Sequence, residues 1–275
     1  MSNSKLVEAY SGRNWEAGPK TYTDRDFKDM IYAATGLAGF TKAATVIDLM
    51  SRNGSVAIDL QERSSQHAFY ALNASGDLLR KVPKGIKSLQ VDIRTTEGLS
   101  DFADVVVVRY GLKDIPQDQQ PDMLRSIARI LKPGGILVIA DMVSPDGMKF
   151  RTNQQHSLKQ VLQGRDLAEE GRCNIPTREG WTDLLDGAGF TVDGMSDYTS
   201  QVATTDWVSG KQITNVQRAE MDRLLSTEPR WVKQAFGIRG KSPVEIGFPV
   251  LVIRAVKPVE PLRSPSPRID MELVV

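Results

Sequence analysis

The sequence predicts an α/β fold, a doubly wound and mostly parallel β-sheet with helices on both faces. Short apolar runs alternate with helical stretches from about residue 28 to about residue 190. One of these runs, 103–110 (ADVVVVRY), is apolar on both faces, as a buried parallel strand is. A chain of 275 residues that is 40% apolar can also bury one large core. Unbroken strand–helix alternation then favours a parallel sheet.

The elements of the first half follow from apolar spacing and turn residues. In chain order we predict an arm at 1–27, a strand at 29–34, a helix at 41–53, a strand at 55–60, a helix at 64–76, strands at 88–93 and 103–110, a helix at 121–131 and a strand at 135–143. The helix at 121–131 has Pro121 at its first position, where a missing donor is tolerated.

After residue 144 the rhythm changes, which indicates helical insertions. Helices are predicted at about 148–170, 177–190 and 214–236, with a strand at 190–198 after the second of them and a final strand at 249–258. We therefore expect one domain over 28–257, with cap insertions at about 148–176 and 205–245. Residues 258–275, rich in Pro and Ser, are predicted to form a flexible tail.

Composition and charge exclude several classes of protein. The 35 Lys and Arg residues and 34 Asp and Glu residues give a net charge of +1. This balance does not indicate the excess of positive charge that nucleic-acid-binding proteins carry. Cys173 is the only cysteine, so no disulfide framework or zinc cluster is expected. No apolar run approaches the roughly 18 residues of a membrane helix, and the N-terminus lacks a signal-peptide core. We expect a cytoplasmic protein without a metal or a membrane span.

Candidate binding residues stand at the predicted carboxyl ends of strands, where open parallel sheets bind ligands. They are Ala34, Thr35, Gly36 and Gly39 after the first strand, Asp59 and Leu60 at the second, Asp92 and Ile93 at the third, and Arg109 and Tyr110 at the fourth.

Each strand end also has a purely structural interpretation. The glycine-rich turn could be a tight connection, and Asp59 could pair with Arg63 on the surface. Taken together and in order, a small-residue turn, a ribose-binding acid and a carboxylate placed for an adenine edge favour an adenosine-containing ligand.

Three stretches resemble the class I S-adenosylmethionine-dependent methyltransferases, in particular the small-molecule branch that includes ubiquinone and menaquinone methyltransferases. They are 103–143, with the KPGG turn, 177–190 (TREGWTDLLDGAGF) and 248–258 (FPVLVIRAVKP). The resemblance implies a Rossmann-like seven-stranded sheet with an antiparallel last strand. It also implies S-adenosylmethionine as cofactor and a small organic acceptor methylated on O, C or N.

By the same resemblance each strand end contacts a different part of the cofactor. Thr35, Gly36 and Gly39 would line its methionine part and Asp59 its ribose. Asp92 and Ile93 would hold the adenine, and Arg109 and Tyr110 would lie near the sulfonium.

The glycine-rich turn departs from the pattern of that family. The family usually carries an acid on the first strand, two positions before a G-x-G-x-G run. In the favoured register Tyr32 takes the place of the acid, and alanines replace two glycines. A second register places the turn at 50–54 (MSRNG) with Asp48 as the acid. It leaves no helix before the predicted strand 55–60, so we favour the first.

Three residues are candidates for the acceptor side of the site. His156, in the first cap insertion, is a candidate general base because its unperturbed pKa lies near neutrality, although a solvated helix residue is at least as good an interpretation. Asp141, after the fifth strand, and Trp207 are candidate substrate contacts. They could equally be a turn former and a core residue.

Other functions stay open at this point. The chain could bind S-adenosylmethionine without transferring methyl, as an enzyme of another reaction or as a partner subunit, and a homodimer is compatible with the sequence. A nicotinamide-dependent oxidoreductase is less favoured. Its fingerprint nearly matches 34–39 followed by Asp59, but no tyrosine is followed four residues later by lysine.

Overall fold

The computed structural model describes residues 24–93, 99–162, 174–207 and 214–259. In this part of the chain one sheet has the strand order β3-β2-β1-β4-β5-β7-β6. Its strands are β1 (Thr45–Leu49), β2 (Ala68–Asn73), β3 (Lys87–Gln90), β4 (Ala103–Arg109), β5 (Leu131–Met142), β6 (Thr191–Ala203) and β7 (Glu245–Val256). Strands β1 to β5 are parallel, whereas β7 runs antiparallel to both β5 and β6. The predicted fold class is confirmed.

Helices cover both faces of the sheet. They are α1 (Arg25–Thr35), α2 (Ser55–Arg63), α3 (Gly76–Leu79), α4 (Gln120–Ile130), α5 (Lys149–Leu162), α6 (Arg178–Gly187), α7 (Thr204–Trp207), α8 (Asn215–Ser226) and α9 (Arg230–Ala235). Alternate residues of β4 enter two separate apolar clusters, Val105 and Val107 in one, Val106 and Val108 in the other. The strand is therefore buried on both sides, as its sequence predicts.

The first predicted strand is wrong, because residues 29–34 lie inside helix α1. Asp24 caps this helix by accepting a hydrogen bond from the Phe27 N–H (3.1 Å). Phe27, Ile31 and Thr35 are buried at a spacing of four residues, so one face of the helix covers the sheet. The apolar run was too short to distinguish a strand from part of a helix.

This error displaces the next three elements as well. The predicted helix at 41–53 contains β1, the predicted strand at 55–60 lies in α2, and the predicted helix at 64–76 contains β2. Strand β1 lies between β2 and β4 in the middle of the sheet and is buried on both faces. It therefore shows no alternation that would separate it from a helix. The register that places the turn at 50–54 is the correct one.

The elements from β3 onward agree more closely with prediction. Helix α4 and strand β5 lie where expected, and α5 begins within the first predicted insertion. The predicted helix at 214–236 is two helices, α8 and α9, with Pro229 at the N-cap of α9. Residues 25–27 of the predicted arm belong to α1. Residues 1–23, 94–98, 163–173, 208–213 and 260–275 lie outside the described residues, and the domain boundaries stay predictions.

None of the described helices has both the length and the apolar character that crossing a membrane requires.

Candidate functional site

The turn between β1 and α2 is organised by Asp48. Its buried carboxylate accepts hydrogen bonds from Ser51 Oγ (2.7 Å) and from the backbone N–H of Ala57 (3.3 Å). Ser51 Oγ in turn accepts from the N–H of Gly54 (3.0 Å), whose φ is 74°. Burial raises the pKa of the Asp48 carboxyl above its usual value. Asp48 thus fixes the turn and the start of α2.

The second strand ends on an amide, Asn73. Its Nδ2 donates to the carbonyl of Ser51 (2.7 Å), and its Oδ1 accepts from the N–H of Ser75 (2.8 Å). Asn73 therefore joins the turn after β1 to the start of α3. It occupies the strand end that in this fold carries the ribose-binding acid.

A cavity opens at the carboxyl ends of β1, β2 and β4. Its lining is largely apolar with a few polar groups, and we call it the nucleoside cavity. The lining consists of Leu49, Met50, Arg52, Asn73, Ala74, Ser75, Leu78, Val91, Asp92, Ile93, Tyr110, Gly111, Asp114, Ile115, Gln119 and Met123. Asp92, Ile93 and Tyr110 were placed at this edge by the sequence.

A smaller cavity lies beside it at the start of α2. Arg109 lines it together with Asp48, Arg52 and Ser55, and Arg109 Nη2 donates to Ser55 Oγ (2.7 Å). Arg109 therefore ends β4 as predicted, and its side chain contacts the first residue of α2.

The predicted first-strand residues lie elsewhere. Ala34 and Thr35 end α1, Gly36 is its C-cap, and Gly39 closes a short 3₁₀ turn. The carbonyl of Ala34 accepts from Arg254 Nη1 (2.7 Å), and Gly36 lies against Arg254 and Ile136. Ile136 pairs with Val105 near the beginning of β4. These residues are thus near the amino ends of the strands, opposite the nucleoside cavity, and their predicted placement is wrong.

The predicted second-strand residues also lie on a helix. Asp59 of α2 forms ion pairs with Lys28 (3.2 Å) and Arg63 (3.1 Å), and Leu60 is buried in the core. The ion pair with Arg63 is the alternative that the sequence left open. The ribose role of Asp59 depended on a strand that the structure does not have at 55–60.

A buried polar cluster connects helix α5 to the edge of the sheet. Asp114 Oδ2 accepts from Lys113 Nζ (2.9 Å). Asp114 Oδ1 accepts from His156 Nε2 (3.2 Å) and from Gln160 Nε2 (3.1 Å). Since Asp114 also lines the nucleoside cavity, it joins that cavity to the helix that carries His156.

The charges of this cluster follow from burial and pairing. Although burial opposes its ionisation, the charge of Lys113 and the hydrogen bond from His156 hold the pKa of Asp114 well below its usual value. Burial lowers the pKa of His156 to about 4, so the imidazole is neutral at pH 7. Its Nε2–H donates to the carboxylate, which leaves Nδ1 as an acceptor. Nδ1 is buried and has no hydrogen-bond partner among the described residues.

Asp141 and Trp207 are both held by protein contacts. Asp141 accepts from the backbone N–H of Lys113 (3.2 Å) and of Met142 (2.8 Å), which fits the turn-forming interpretation. Trp207 is buried against Phe248, with ring centroids 4.7 Å apart. Both side chains therefore have a structural role, and a role in substrate binding stays a prediction.

Sequence reasoning missed the turn residues Met50 and Arg52, the strand end Asn73 and the cavity residue Asp114. The sequence pattern that could have identified the turn is VIDL (46–49) followed by Gly54, which is the second register of the sequence analysis. Within the ranges that the structure describes, no group of three His, Cys, Asp or Glu side chains could hold a metal ion.

Residues 24–193, more than half of the chain, match the model of the methyltransferase domain family. The chain belongs to this family. S-adenosylmethionine is the methyl donor in this family, so the predicted enzyme class and cofactor are confirmed. The oxidoreductase alternative loses its basis, because 34–39 is not a strand-to-helix turn.

One relative and two solved structures illustrate the family. The chain is 23% identical over 182 residues to the ubiquinone/menaquinone biosynthesis C-methyltransferase of Azotobacter vinelandii, which covers 56% of this chain and 68% of the relative. A putative methyltransferase from Bacillus halodurans superposes with a TM-score of 0.71 at 17% identity, over 83% of this chain and 98% of that one. The 1,6-didemethyltoxoflavin-N1-methyltransferase of Burkholderia thailandensis, solved with 1,6-didemethyltoxoflavin and S-adenosylhomocysteine, gives 0.51 at 16% identity, over 93% and 86%. The two structures share the fold.

The nucleoside cavity suits the adenosine end of the cofactor, whereas the turn after β1 differs from the pattern of the family at the amino-acid end. The largely apolar lining of the cavity, which includes Asp92, suits an adenosine. Counted from the acid Asp48, the three glycine positions are Met50, Arg52 and Gly54. Met50 has a φ of 57°, a conformation that favours glycine. The chain therefore forms the turn of the family, but Met50 and Arg52 place side chains at two positions where the family has glycine.

Proposed function

We propose that this methyltransferase transfers a methyl group to a small organic acceptor that binds between the carboxyl edge of the sheet and helix α5. The nucleoside cavity carries this proposal, since it lies at the strand ends where a parallel sheet binds its ligand. Asp114 supports it, because this one residue lines the cavity and contacts α5. The relative from Azotobacter vinelandii is named as a C-methyltransferase of quinone biosynthesis, which is in keeping with a small acceptor.

Three residues of the cavity would hold the adenine of the donor, two of them by packing and one by a hydrogen bond. Leu78 and Ile93 would pack on the adenine faces, and Asp92 would accept a hydrogen bond from its amino group. Bound there, S-adenosylmethionine supplies a methyl group on a positively charged sulfur, and in-line positioning accounts for most of the rate. The chain contributes the geometry and excludes water.

His156 is the candidate general base. Its imidazole is neutral at pH 7, and the Nδ1 lone pair has no protein partner in the described part of the chain. Asp114 would fix the tautomer and stabilise the imidazolium after a proton is taken up. The acceptor would therefore carry an O–H, N–H or acidic C–H group whose proton passes to Nδ1.

Calorimetry with S-adenosylhomocysteine tests the site. We expect binding by the wild type and a loss of about 10-fold in Asp92→Ala, the size of one charge-assisted hydrogen bond. Asp59→Ala is the matched control, and it should leave the affinity unchanged because Asp59 of α2 pairs with Lys28 of α1 and Arg63 of α2. Failure of the wild type to bind S-adenosylhomocysteine and S-adenosylmethionine would overturn the proposal.

A second candidate is a protein that binds the cofactor without transferring methyl. The altered turn and the amide of Asn73 favour it, since both change the contacts of the donor. Methyl-labelled S-adenosylmethionine, offered with phenolic, carbon-acid and amine acceptors, would distinguish the two. Labelled product that depends on His156 supports transfer, whereas tight binding without product favours the second candidate. The cytoplasmic location and the homodimer stay predictions.

A further inference from the structure

Arg52 stands where two cavities meet at the carboxyl edge of the sheet. It lines the nucleoside cavity together with Met50 and Asn73, and it also lines the smaller cavity at the start of α2. Its side chain is partly buried. Counted from Asp48, Arg52 occupies the second glycine position of the turn. The chain therefore presents a guanidinium where the usual turn has only backbone.

The carboxylates around this point are committed to protein donors. Asp48 accepts from Ser51 and from the N-terminal turn of α2. Asp114 accepts from Lys113, His156 and Gln160. They are therefore poorly placed to accept a hydrogen bond from an ammonium group of a ligand as well.

A third acid, Asp92, lies at a different end of the nucleoside cavity from Arg52. Asp92 follows β3, and β3 is two strands away from β1. Adjacent strands are about 4.8 Å apart, so the backbone at the end of β3 and the backbone of the turn after β1 lie roughly 10 Å apart across the sheet. The acid thus lies at the β3 end of the cavity and Arg52 at the β1 end.

We propose that Arg52 determines which donor tail the site accepts, by binding the carboxylate at the amino-acid end of the cofactor. This inference rests on the proposed function, because it requires the nucleoside to bind in the neighbouring cavity. A planar guanidinium can hold a carboxylate through two parallel hydrogen bonds, which a single backbone N–H cannot do. Binding of the cofactor by this chain therefore depends on the carboxylate of its amino-acid end more than on the ammonium group of that end.

Ligands that differ only in the tail test this inference. We would titrate the wild type and Arg52→Ala with S-adenosylhomocysteine, with its decarboxylated analogue, which keeps the amine, and with 5′-methylthioadenosine, which has neither charge. The wild type should prefer S-adenosylhomocysteine to the decarboxylated analogue by about 10- to 100-fold. In Arg52→Ala this ratio should approach one, while the affinity for 5′-methylthioadenosine should not change.

Three further variants make the result specific. Arg52→Lys keeps the charge without the planar fork, so its ratio should fall between those of the wild type and Arg52→Ala. Arg80→Ala, an exposed arginine paired with Asp77, should behave as the wild type. If the ratio collapses in Arg109→Ala and persists in Arg52→Ala, the carboxylate is bound by Arg109 and the inference is overturned.

The remaining outcomes separate this inference from the proposed function. Equal affinity of the wild type for all three ligands would overturn the role of Arg52 and leave the nucleoside site standing. Absence of binding by all three, 5′-methylthioadenosine included, would overturn both. Tighter binding of AMP than of S-adenosylhomocysteine would assign the guanidinium to a phosphate and contradict the carboxylate.

Discussion

At the scale of single residues, two glycines test which turn organises the site. Gly54 has a φ of 74°, and a Cβ there would lie 3.0 Å from Val82 Cγ1, whereas nothing lies within 4 Å of a Cβ at Gly39. We expect Gly54→Ala to lower the free energy of unfolding by about 1–2 kcal/mol. Gly39→Ala should change it by less than about 1 kcal/mol, toward stability. Urea denaturation measures both, and equal losses would contradict the register.

The residues that the sequence placed well are those after unmistakable strands. Arg109 and Tyr110 follow a run of four valines, and no helix pattern competes with that run. Asp59 shows the opposite case. It follows the apolar residues VAI, and the run SVAIDL fits the inner face of a helix as well as a strand. An acid at a strand end can be identified only as securely as the strand itself.

At the scale of elements, the prediction for helix α1 determines the predictions for the three elements that follow it. The sequence shows one apolar face for this helix only if the helix is taken to begin after the cap residue Asp24. The central strand β1 offered no compensating signal, because a strand buried on both faces has no period of two. The sequence therefore predicted the fold class and the elements from β3 onward, whereas the elements before β3 required knowledge of which run is central.

The cap of α1 gives an element-scale prediction. The Asp24 carboxylate accepts the N–H of Phe27, so Asp24→Ala should lower the free energy of unfolding by about 1 kcal/mol. Asp24→Ser keeps a capping oxygen and should lose less. Asp26, exposed in the first turn, is the matched control, and Asp26→Ala should cost less than about 0.5 kcal/mol. Chemical denaturation of the three variants checks the order, and equal effects at positions 24 and 26 would argue against the cap.

At the scale of the whole molecule, the cluster of Asp114, His156 and Gln160 joins the first insertion to the sheet. Asp114 lies between β4 and α4, whereas His156 and Gln160 belong to α5, more than 40 residues later in the chain. No local pattern relates residues so far apart, so the sequence could name His156 and not its partner. The contact exists because one parallel sheet brings its carboxyl ends to a single edge.

This connection makes the stability of the molecule depend on pH. The pKa of His156 is about 4 in the folded chain, against about 6.5 when unfolded. Burial and the charge of Lys159 oppose protonation, and Asp114 only partly offsets them. Since the folded-state pKa is the lower one, the stabilisation is complete above pH 6.5 and is lost as the pH falls from 6.5 to 4.

A comparison with His156→Gln isolates this effect. The glutamine can still donate to Asp114 but cannot take up a proton, and the carboxyl groups of Asp48, Asp114 and Asp141 remain in both proteins. Between pH 6.5 and 4 the wild type should lose up to about 3 kcal/mol more than the variant, at 1.36 kcal/mol per pKa unit. Urea denaturation at half-unit steps of pH measures the difference. Parallel pH profiles would mean that His156 is protonated as easily in the fold as in the unfolded chain, and would remove the basis for a neutral imidazole at the site.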